Sequence, residues 1–308
     1  MKSKLYNKKI ILLVGGPTAS GKSKLALKLA KLINGEIINA DSMQVYKNFP
    51  ILTSQPNEND RKLIRHHLYG YIDTTQNCNG AIWLKDSMMQ IKKLLSMNKI
   101  PIVVGGTGLY LEFLSKGISF IPEITINTKK IVNEELIRKG LKGMYQLLTN
   151  IDTDYSKKIN PNDKTRIIRA IEVFYQTNKS ISYFHRKKKQ HFPLNFFKIY
   201  LSPSKNEIKE NSIVRLKNMI KEGLLEEFKK NIGKVNNCNI VKAIGFKEIN
   251  EYFSKQYSLE DLSNVILKNT RNYAKRQFTW FNNRYYPQIK VNSYKKTSLI
   301  LESLSKIN

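Results

Sequence analysis

Gly16-Pro17-Thr18-Ala19-Ser20-Gly21-Lys22-Ser23 fits the phosphate-loop pattern Gly-x4-Gly-Lys-Ser/Thr at every position. The run Ile10 to Val14 ahead of it reads as a strand buried on both faces. Lys24-Leu25-Ala26-Leu27-Lys28-Leu29-Ala30 behind it reads as an amphipathic helix. In that setting the glycines let backbone N–H groups turn inward on an anion. The helix start adds partial positive charge, Lys22 adds a full one, and the Ser23 hydroxyl is a ligand for Mg²⁺. A polyphosphate group is expected to bind here. The loop alone does not separate ATP or GTP from another diphosphate.

Outward from the loop, strand and helix patterns alternate through the first 110 residues, as in a parallel α/β sheet. Glu36-Ile37-Ile38-Asn39-Ala40 reads as a second strand, ending at Asp41-Ser42. Ile82 to Leu95 is helical in pattern. Ile100-Pro101-Ile102-Val103-Val104 is a further strand, broken at Gly105-Gly106-Thr107-Gly108. Ligands of such sheets lie beyond the carboxyl ends of the strands, so the loop, Asp41 and Thr107 are expected to converge.

From about 115 to 195 the pattern turns helical and basic. Asn160-Pro161-Asn162-Asp163 is a turn or helix cap before Arg166, Arg169 and Glu172, which share one side of a helix. Arg186 to Lys189 is a charge run, and Asn195 to Ser202 is a strand returning to the sheet. Helices fill the remainder. One opens at Ser258, with Asp261 completing a capping box, and runs to about Phe281. Lys268, Arg271 and Lys275 share one of its faces, and Tyr273, Gln277 and Trp280 another. The aromatic face suits either RNA or the core. The expected fold is therefore α/β: a phosphate-loop core of parallel strands flanked by helices, 1–114 and 196–308, with a mainly helical insertion domain at 115–195.

Lys and Arg number 53 against 24 Asp and Glu, a net +29. An excess of this size points to a polyanionic partner, because each phosphate neutralised releases counterions. The two cysteines, Cys78 and Cys238, have no C-x-x-C spacing, so neither a disulfide framework nor a zinc site is expected and a reducing cytoplasm fits. The apolar run after the N-terminal lysines is only five residues long and enters the phosphate loop, so it is not expected to act as a signal peptide. No membrane span is expected.

A carboxylate at Asp41, after a buried strand and beside so much positive charge, has three uses. It can hold Mg²⁺, act as a general base toward a substrate amine or hydroxyl, or cap the following turn. Thr107 can donate to a substrate phosphate or to Asp41, or simply shape its turn. His66-His67 does not suggest a metal, since adjacent residues point to different sides.

In their order along the chain these segments resemble the tRNA dimethylallyltransferases. The resemblance runs through Gly16–Ser23, Asp41-Ser42-Met43-Gln44-Val45-Tyr46, His66-His67-Leu68 and Gly105 to Tyr110. It continues through Asn162-Asp163 with Arg166, Arg169, Ala170 and Glu172, then Arg215 ahead of Met219 and Gly223-Leu224. It ends with Ala243 to Glu248 and Tyr273-Ala274-Lys275-Arg276-Gln277. The resemblance implies transfer of dimethylallyl from its diphosphate to N6 of an adenine beside the tRNA anticodon. It implies that the phosphate loop, Gly16 to Ser23, holds the leaving diphosphate, with Thr18, Lys22, Ser23 with Mg²⁺, and Arg215 stabilising its charge. Asp41 would be the general base and Thr107 would position the leaving group. Contacts to the tRNA anticodon stem-loop would come from Asp41, Ser42, Met43, Gln44, Thr107, Thr165, Arg166, Ile167, Ile168 and Arg169. Further contacts would come from Val241, Lys242, Ala243, Ile244, Gly245, Phe246, Lys275 and Gln277. A cytoplasmic monomer is expected.

The sequence departs from the family pattern in three places. Leu52-Thr53-Ser54-Gln55-Pro56 stands where Gly-Thr-Ala-Lys-Pro is common, so a lysine is replaced by Gln55. Phe246 stands for tyrosine, and Asn211 for an arginine. None of the three is expected to touch the loop, Asp41 or Thr107. The sequence leaves open a phosphate-loop kinase of small molecules, a prenyltransferase of free adenine nucleotide, and a noncatalytic RNA-binding protein that uses the loop as a nucleotide switch.

Overall fold

The computed structural model describes residues 9–187, 194–236, 238–254 and 258–306. Lys188 and Lys189 of the charge run lie outside them. The chain divides into two compact units, Met1–Ser115 with Pro193–Asn308, and Lys116–Phe192.

The first unit opens with β1 (Ile10–Gly15), α1 (Lys22–Ile33), β2 (Gly35–Asn39), α2 (Glu58–Leu63), β3 (His66–His67), α3 (Gly80–Ser96), β4 (Ile100–Gly105) and α4 (Gly108–Lys116). The chain then passes through the helices of the second unit, α5 (Ile126–Ile151), α6 (Thr153–Ser156), α7 (Lys164–Thr177) and α8 (Ile181–Arg186). It returns through β5 (Asn195–Leu201), α9 (Lys205–Lys221), α10 (Leu224–Asn231), α11 (Phe246–Phe253), α12 (Leu259–Arg284), β6 (Ile289–Val291) and α13 (Thr297–Ser305).

The six strands lie in the order β3-β2-β4-β1-β5-β6, and every pairing is parallel. All six residues of β1 are buried, as an unbroken apolar run in a sheet covered on both faces must be. α1 buries Leu25, Ala26, Leu29, Ala30 and Ile33, the one-sided spacing of a helix packed on a sheet. After β1 the chain builds first toward β2 and β4, then crosses to β5. The carboxyl end of β1 is therefore the point where strand order reverses, the usual crevice for a ligand.

Two close approaches shape that crevice. Gly21 caps α1 with φ 87°, a left-handed conformation that glycine adopts without steric cost. Gly105 ends β4 against the backbone of Ala40, and a Cβ there would run into that backbone. The contact brings the ends of β2 and β4 together: Ala40 donates to the Val104 carbonyl (2.8 Å) and Thr107 N–H to the Ala40 carbonyl (3.2 Å).

Some boundaries differ from the sequence expectation. β2 spans Gly35–Asn39 instead of running to Ala40. α12 continues to Arg284, past Phe281, with the Ser258–Asp261 capping box in place. β6 and α13 carry too few residues to announce themselves by periodicity.

In the second unit, Val132, Met144, Leu148, Ile167, Ile171 and Val173 are wholly buried and form its core. α5 bends at Gly140, whose φ of 64° interrupts the helix. Asp163 caps α7 by accepting the Arg166 N–H (3.1 Å). Asp152 caps α6 through the Tyr155 N–H (3.1 Å) and also accepts the Ser182 N–H (2.8 Å), which ties α8 to it.

Candidate active site

The carboxyl ends of β1, β2 and β4 bring the phosphate loop, Asp41 and Thr107 into one frame. The joint between them is a side chain from far along the chain. Thr18 N–H donates to Gln277 Oε1 (2.8 Å), and Gln277 Nε2 donates to the Gly106 carbonyl (2.8 Å). Gln277 is only 5 % exposed. A glutamine amide offers an acceptor and a donor at opposite corners, and here each corner holds a different loop. Next to Gly106, Thr107 Oγ1 accepts the Ser42 N–H (3.0 Å) and donates to Ser42 Oγ (3.3 Å). Its hydroxyl thus binds the neighbour of Asp41, not the carboxylate itself. Asp41 Oδ1 accepts the Met43 N–H (3.0 Å), which fixes one carboxylate oxygen in the turn.

Around the loop, Lys22 Nζ donates to the Pro17 carbonyl, and Arg215 from α9 donates to Thr18 Oγ1 (2.9 Å). Asn211, one turn before Arg215, donates to the Ala19 carbonyl (3.0 Å). The expectation that Asn211 stands clear of the loop is therefore wrong. The short amide lies on the same helix face as Arg215 and meets the loop backbone, though it carries no charge to offer an anion. Ser20 Oγ is buried inside the loop with no partner among the described residues. A buried hydroxyl without a partner is costly, and a bound anion would give it one.

Two cations and one carboxylate dominate the electrostatics. Lys22 is pushed down from 10.5 to about 8, chiefly by burial, with Asp41 opposing the shift and Arg215 adding to it. Arg215 is lowered by burial, and Asp41 again opposes. The phenols of Tyr69 and Tyr273 are raised above their ordinary value, first by burial and then by the charge of Asp41. Asp41 is thus the counter-charge to a cationic cradle walled by neutral phenols. Among the described residues, no group of three or more His, Cys, Asp or Glu could hold a metal. A hard oxygen donor is present at Ser23, exposed on the first turn of α1.

The lowered Lys22 gives a pH prediction. The substrate-free protein loses this charge as pH rises through about 8, while the unfolded chain keeps it to 10.5. Between these values the unfolded state binds more protons, so this group's cost to stability is relieved as pH rises, and the cradle weakens at the same time. Affinity for inorganic diphosphate, measured by calorimetry, should fall across pH 8 to 10 relative to that of Lys22→Met, a comparison that cancels the ligand's own titration.

The segments expected to meet RNA are of mixed exposure. Ser42, Met43 and Gln44 are partly exposed, and Gln44 Nε2 also donates to the Thr53 and Ser54 carbonyls (2.9 Å each). Thr165 and Arg166 are exposed and Ile168 and Arg169 partly so, with Arg166 near Asp163 (3.4 Å) and Arg169 near Glu172 (3.7 Å). Ile167 is fully buried in the core of its unit, so its side chain offers no surface. Val241, Lys242 and Lys275 are exposed and Ile244 partly so. Ala243, Gly245 and Phe246 are buried, and the Phe246 ring packs on Phe49 and Phe228 (5.7 and 5.0 Å between centroids). Gln277 is a brace, and the Trp280 ring lies against Gly108, so this face of α12 is largely core.

Glu227 carries no sequence signal. From α10 its carboxylate accepts the N–H groups of Ile51 (2.7 Å) and Leu52 (2.9 Å), fixing the segment that follows Asp41. At the other departures, Leu52 is buried against Gly245, and Gln55 Nε2 donates to the Tyr46 carbonyl (2.8 Å). Both positions serve to hold this segment.

Fold and site together define an α/β protein with a phosphate-loop motif, in which Lys22 and Arg215 lie close enough to Asp41 to feel its charge. A sequence model described as IPP transferase matches residues 44–284, and the chain belongs to that family. The chain is 39 % identical to a tRNA dimethylallyltransferase of Pelagibacter ubique (strain HTCC1062), covering 96 % of this chain and 98 % of that one. It is also 39 % identical to the tRNA dimethylallyltransferase of Rickettsia canadensis (strain McKiel), covering 96 % and 93 %. The full-length tRNA isopentenylpyrophosphate transferase of Bacillus halodurans superposes with a TM-score of 0.69 at 29 % identity, over 97 % of this chain and 96 % of that one. A eukaryotic dimethylallyltransferase solved acting on tRNA gives 0.77 at 29 % identity, over 88 % and 69 %.

Proposed function

We propose that this protein transfers the dimethylallyl group of dimethylallyl diphosphate to N6 of an adenine next to the tRNA anticodon. The observation that carries the reading is the frame of Thr18, Gln277, Gly106, Thr107 and Ser42. It ties the phosphate loop to the turn that carries Asp41, which supports a diphosphate held beside that carboxylate, in a chain whose relatives are tRNA dimethylallyltransferases.

In the reaction the adenine N6 forms a bond to the allylic carbon as the bond from that carbon to the diphosphate oxygen breaks. The electron pair leaves with the diphosphate. N6 is a weak nucleophile, since its lone pair is delocalised into the ring, so proton removal as it attacks lowers the barrier. Asp41 takes that proton. Lys22, Arg215 and Thr18 hold the departing charge, with the inward N–H groups of the loop. Ser23 would hold Mg²⁺, and the ion would supply charge neutralisation to the leaving group. The target base must leave its stack to reach Asp41.

The experiment supplies labelled dimethylallyl diphosphate with tRNA, with an anticodon stem-loop and with AMP, and γ-labelled ATP in parallel. Label in tRNA at N6 of adenine supports the reading. Label in AMP alone, or phosphoryl transfer without prenylation, sinks it. Since 53 basic side chains face 24 acidic ones, tRNA affinity should fall steeply and log-linearly between 50 and 200 mM salt, by about 10³-fold if some six phosphates are contacted. A flat response in a filter-binding series would count against contact through phosphates. No described helix is long and apolar enough to cross a membrane, and a cytoplasmic site of action fits a tRNA substrate.

A further inference from the structure

Asp41 is placed by its backbone, and the backbone is held by one buried amide. Asn39, wholly buried at the end of β2, accepts the Asp41 N–H on Oδ1 (2.8 Å). Its Nδ2 donates to the Asp41 carbonyl (3.0 Å) and to the Leu68 carbonyl (3.0 Å). The Asn39 carbonyl in turn accepts the indole N–H of Trp83 (2.7 Å), itself wholly buried. One carboxamide therefore clamps both main-chain polar groups of Asp41, and its own place is set from α3.

The second anchor explains a motif that the proposed chemistry leaves unused. His66 and His67 pair with Ile37 and Ile38 as β3. His67 Nε2 lies 2.7 Å from Glu36 Oε2, and His66 Nδ1 lies 2.8 Å from the Ile64 carbonyl. Directly after them Leu68 turns to φ 61°, which is uncommon for a residue with a side chain. That turn presents its carbonyl to Asn39. The two histidines thus register a short edge strand whose last act is to fix the clamp.

We propose that Asn39 is the positioning residue of the general base. Its carboxamide, seated on Leu68 and Trp83, holds the turn from which Asp41 meets the adenine amine. The inference rests on Asp41 acting as the base. A hydrophobic residue or alanine at position 39 leaves the Asp41 N–H and two carbonyls without this partner, and the carboxylate loses its aim. Serine retains one donor and one acceptor.

The test is single-turnover prenylation of an anticodon stem-loop RNA by the full chain with saturating dimethylallyl diphosphate. It compares Asn39→Ala, Asn39→Ser, Asp41→Ala and the double variant Asn39→Ala/Asp41→Ala. Asn39→Ala should slow the chemical step by about 10²-fold, the size expected of a misplaced catalytic group. RNA affinity and KM for the diphosphate should stay within about threefold, and Asn39→Ser should recover part of the loss. A residue that works only through Asp41 adds nothing once Asp41 is gone, so the double variant should match Asp41→Ala. If the two losses multiply, or if Asn39→Ala turns over like the parent, the positioning role is overturned and the base stands. If Asp41→Ala itself turns over normally, the base assignment fails and the positioning role falls with it. Should Asn39→Ala not fold, Asn39→Ser alone and with Asp41→Ala is read by the same cycle.

Discussion

Asp41→Ala should lower single-turnover prenyl transfer by about 10²-fold or more and leave RNA affinity nearly unchanged. One carboxylate oxygen is bound to the Met43 N–H, so the side chain is oriented before substrate arrives. Because Lys22 and Arg215 both feel its charge, its loss also removes the counter-charge of the cradle. Affinity for inorganic diphosphate should therefore hold or rise while turnover collapses. This opposite movement separates a base from a residue that merely helps to bind. Transfer that continues at the parental rate in quenched-flow measurement would exclude the assignment.

Arg215→Ala should cost about 10²- to 10³-fold in kcat, the range for removing one aimed donor from developing negative charge. The guanidinium comes from the middle of α9 and is held on Thr18 Oγ1, so it is in place before the allylic bond breaks. Arg215→Lys should recover little, since an ammonium is a point charge and lacks the planar fork that can hold Thr18 and an anion together. A fall confined to KM for dimethylallyl diphosphate, with kcat intact, would show that Arg215 binds substrate and transition state equally. It would then have no part in departure of the leaving group.

The core of this design is legible in the sequence for a physical reason. A central parallel strand is apolar along its whole length, and Ile10–Gly15 and Ile100–Gly105 read that way at once. The loop between such a strand and a helix carries its own signature. Asp41 and Thr107 follow because they stand where strands end. What local pattern cannot show is who reaches back to them. Arg215 lies 197 residues from Thr18, and Gln277 lies 259. The family resemblance names both, and the structure adds that Gln277 is buried with its amide bonded to Thr18 and Gly106. The contact of Asn211 with the loop is hidden for the same reason, since it is made by folding across 192 residues. Asn39 sat in plain view two residues before Asp41, yet a polar residue at a strand end is ordinary until its three hydrogen bonds are seen. On α12 the helical period placed Lys268, Arg271 and Lys275 together on an exposed face. Period alone could not say that Gln277 and Trp280 turn inward.

The brace at Gln277 also makes the frame of the site depend on a late segment of the chain. The phosphate loop and the turn before Thr107 lie within the first 107 residues of the chain, yet the amide that spans them comes at position 277 of 308. During synthesis the sheet's early strands can pair while Thr18 and Gly106 still lack this partner. Contacts over such separation close late and slowly. The frame is therefore complete only once α12 has been made and has packed. A nascent or truncated chain ending before α12 would carry the phosphate loop without the frame that makes it a prenyl-transfer site.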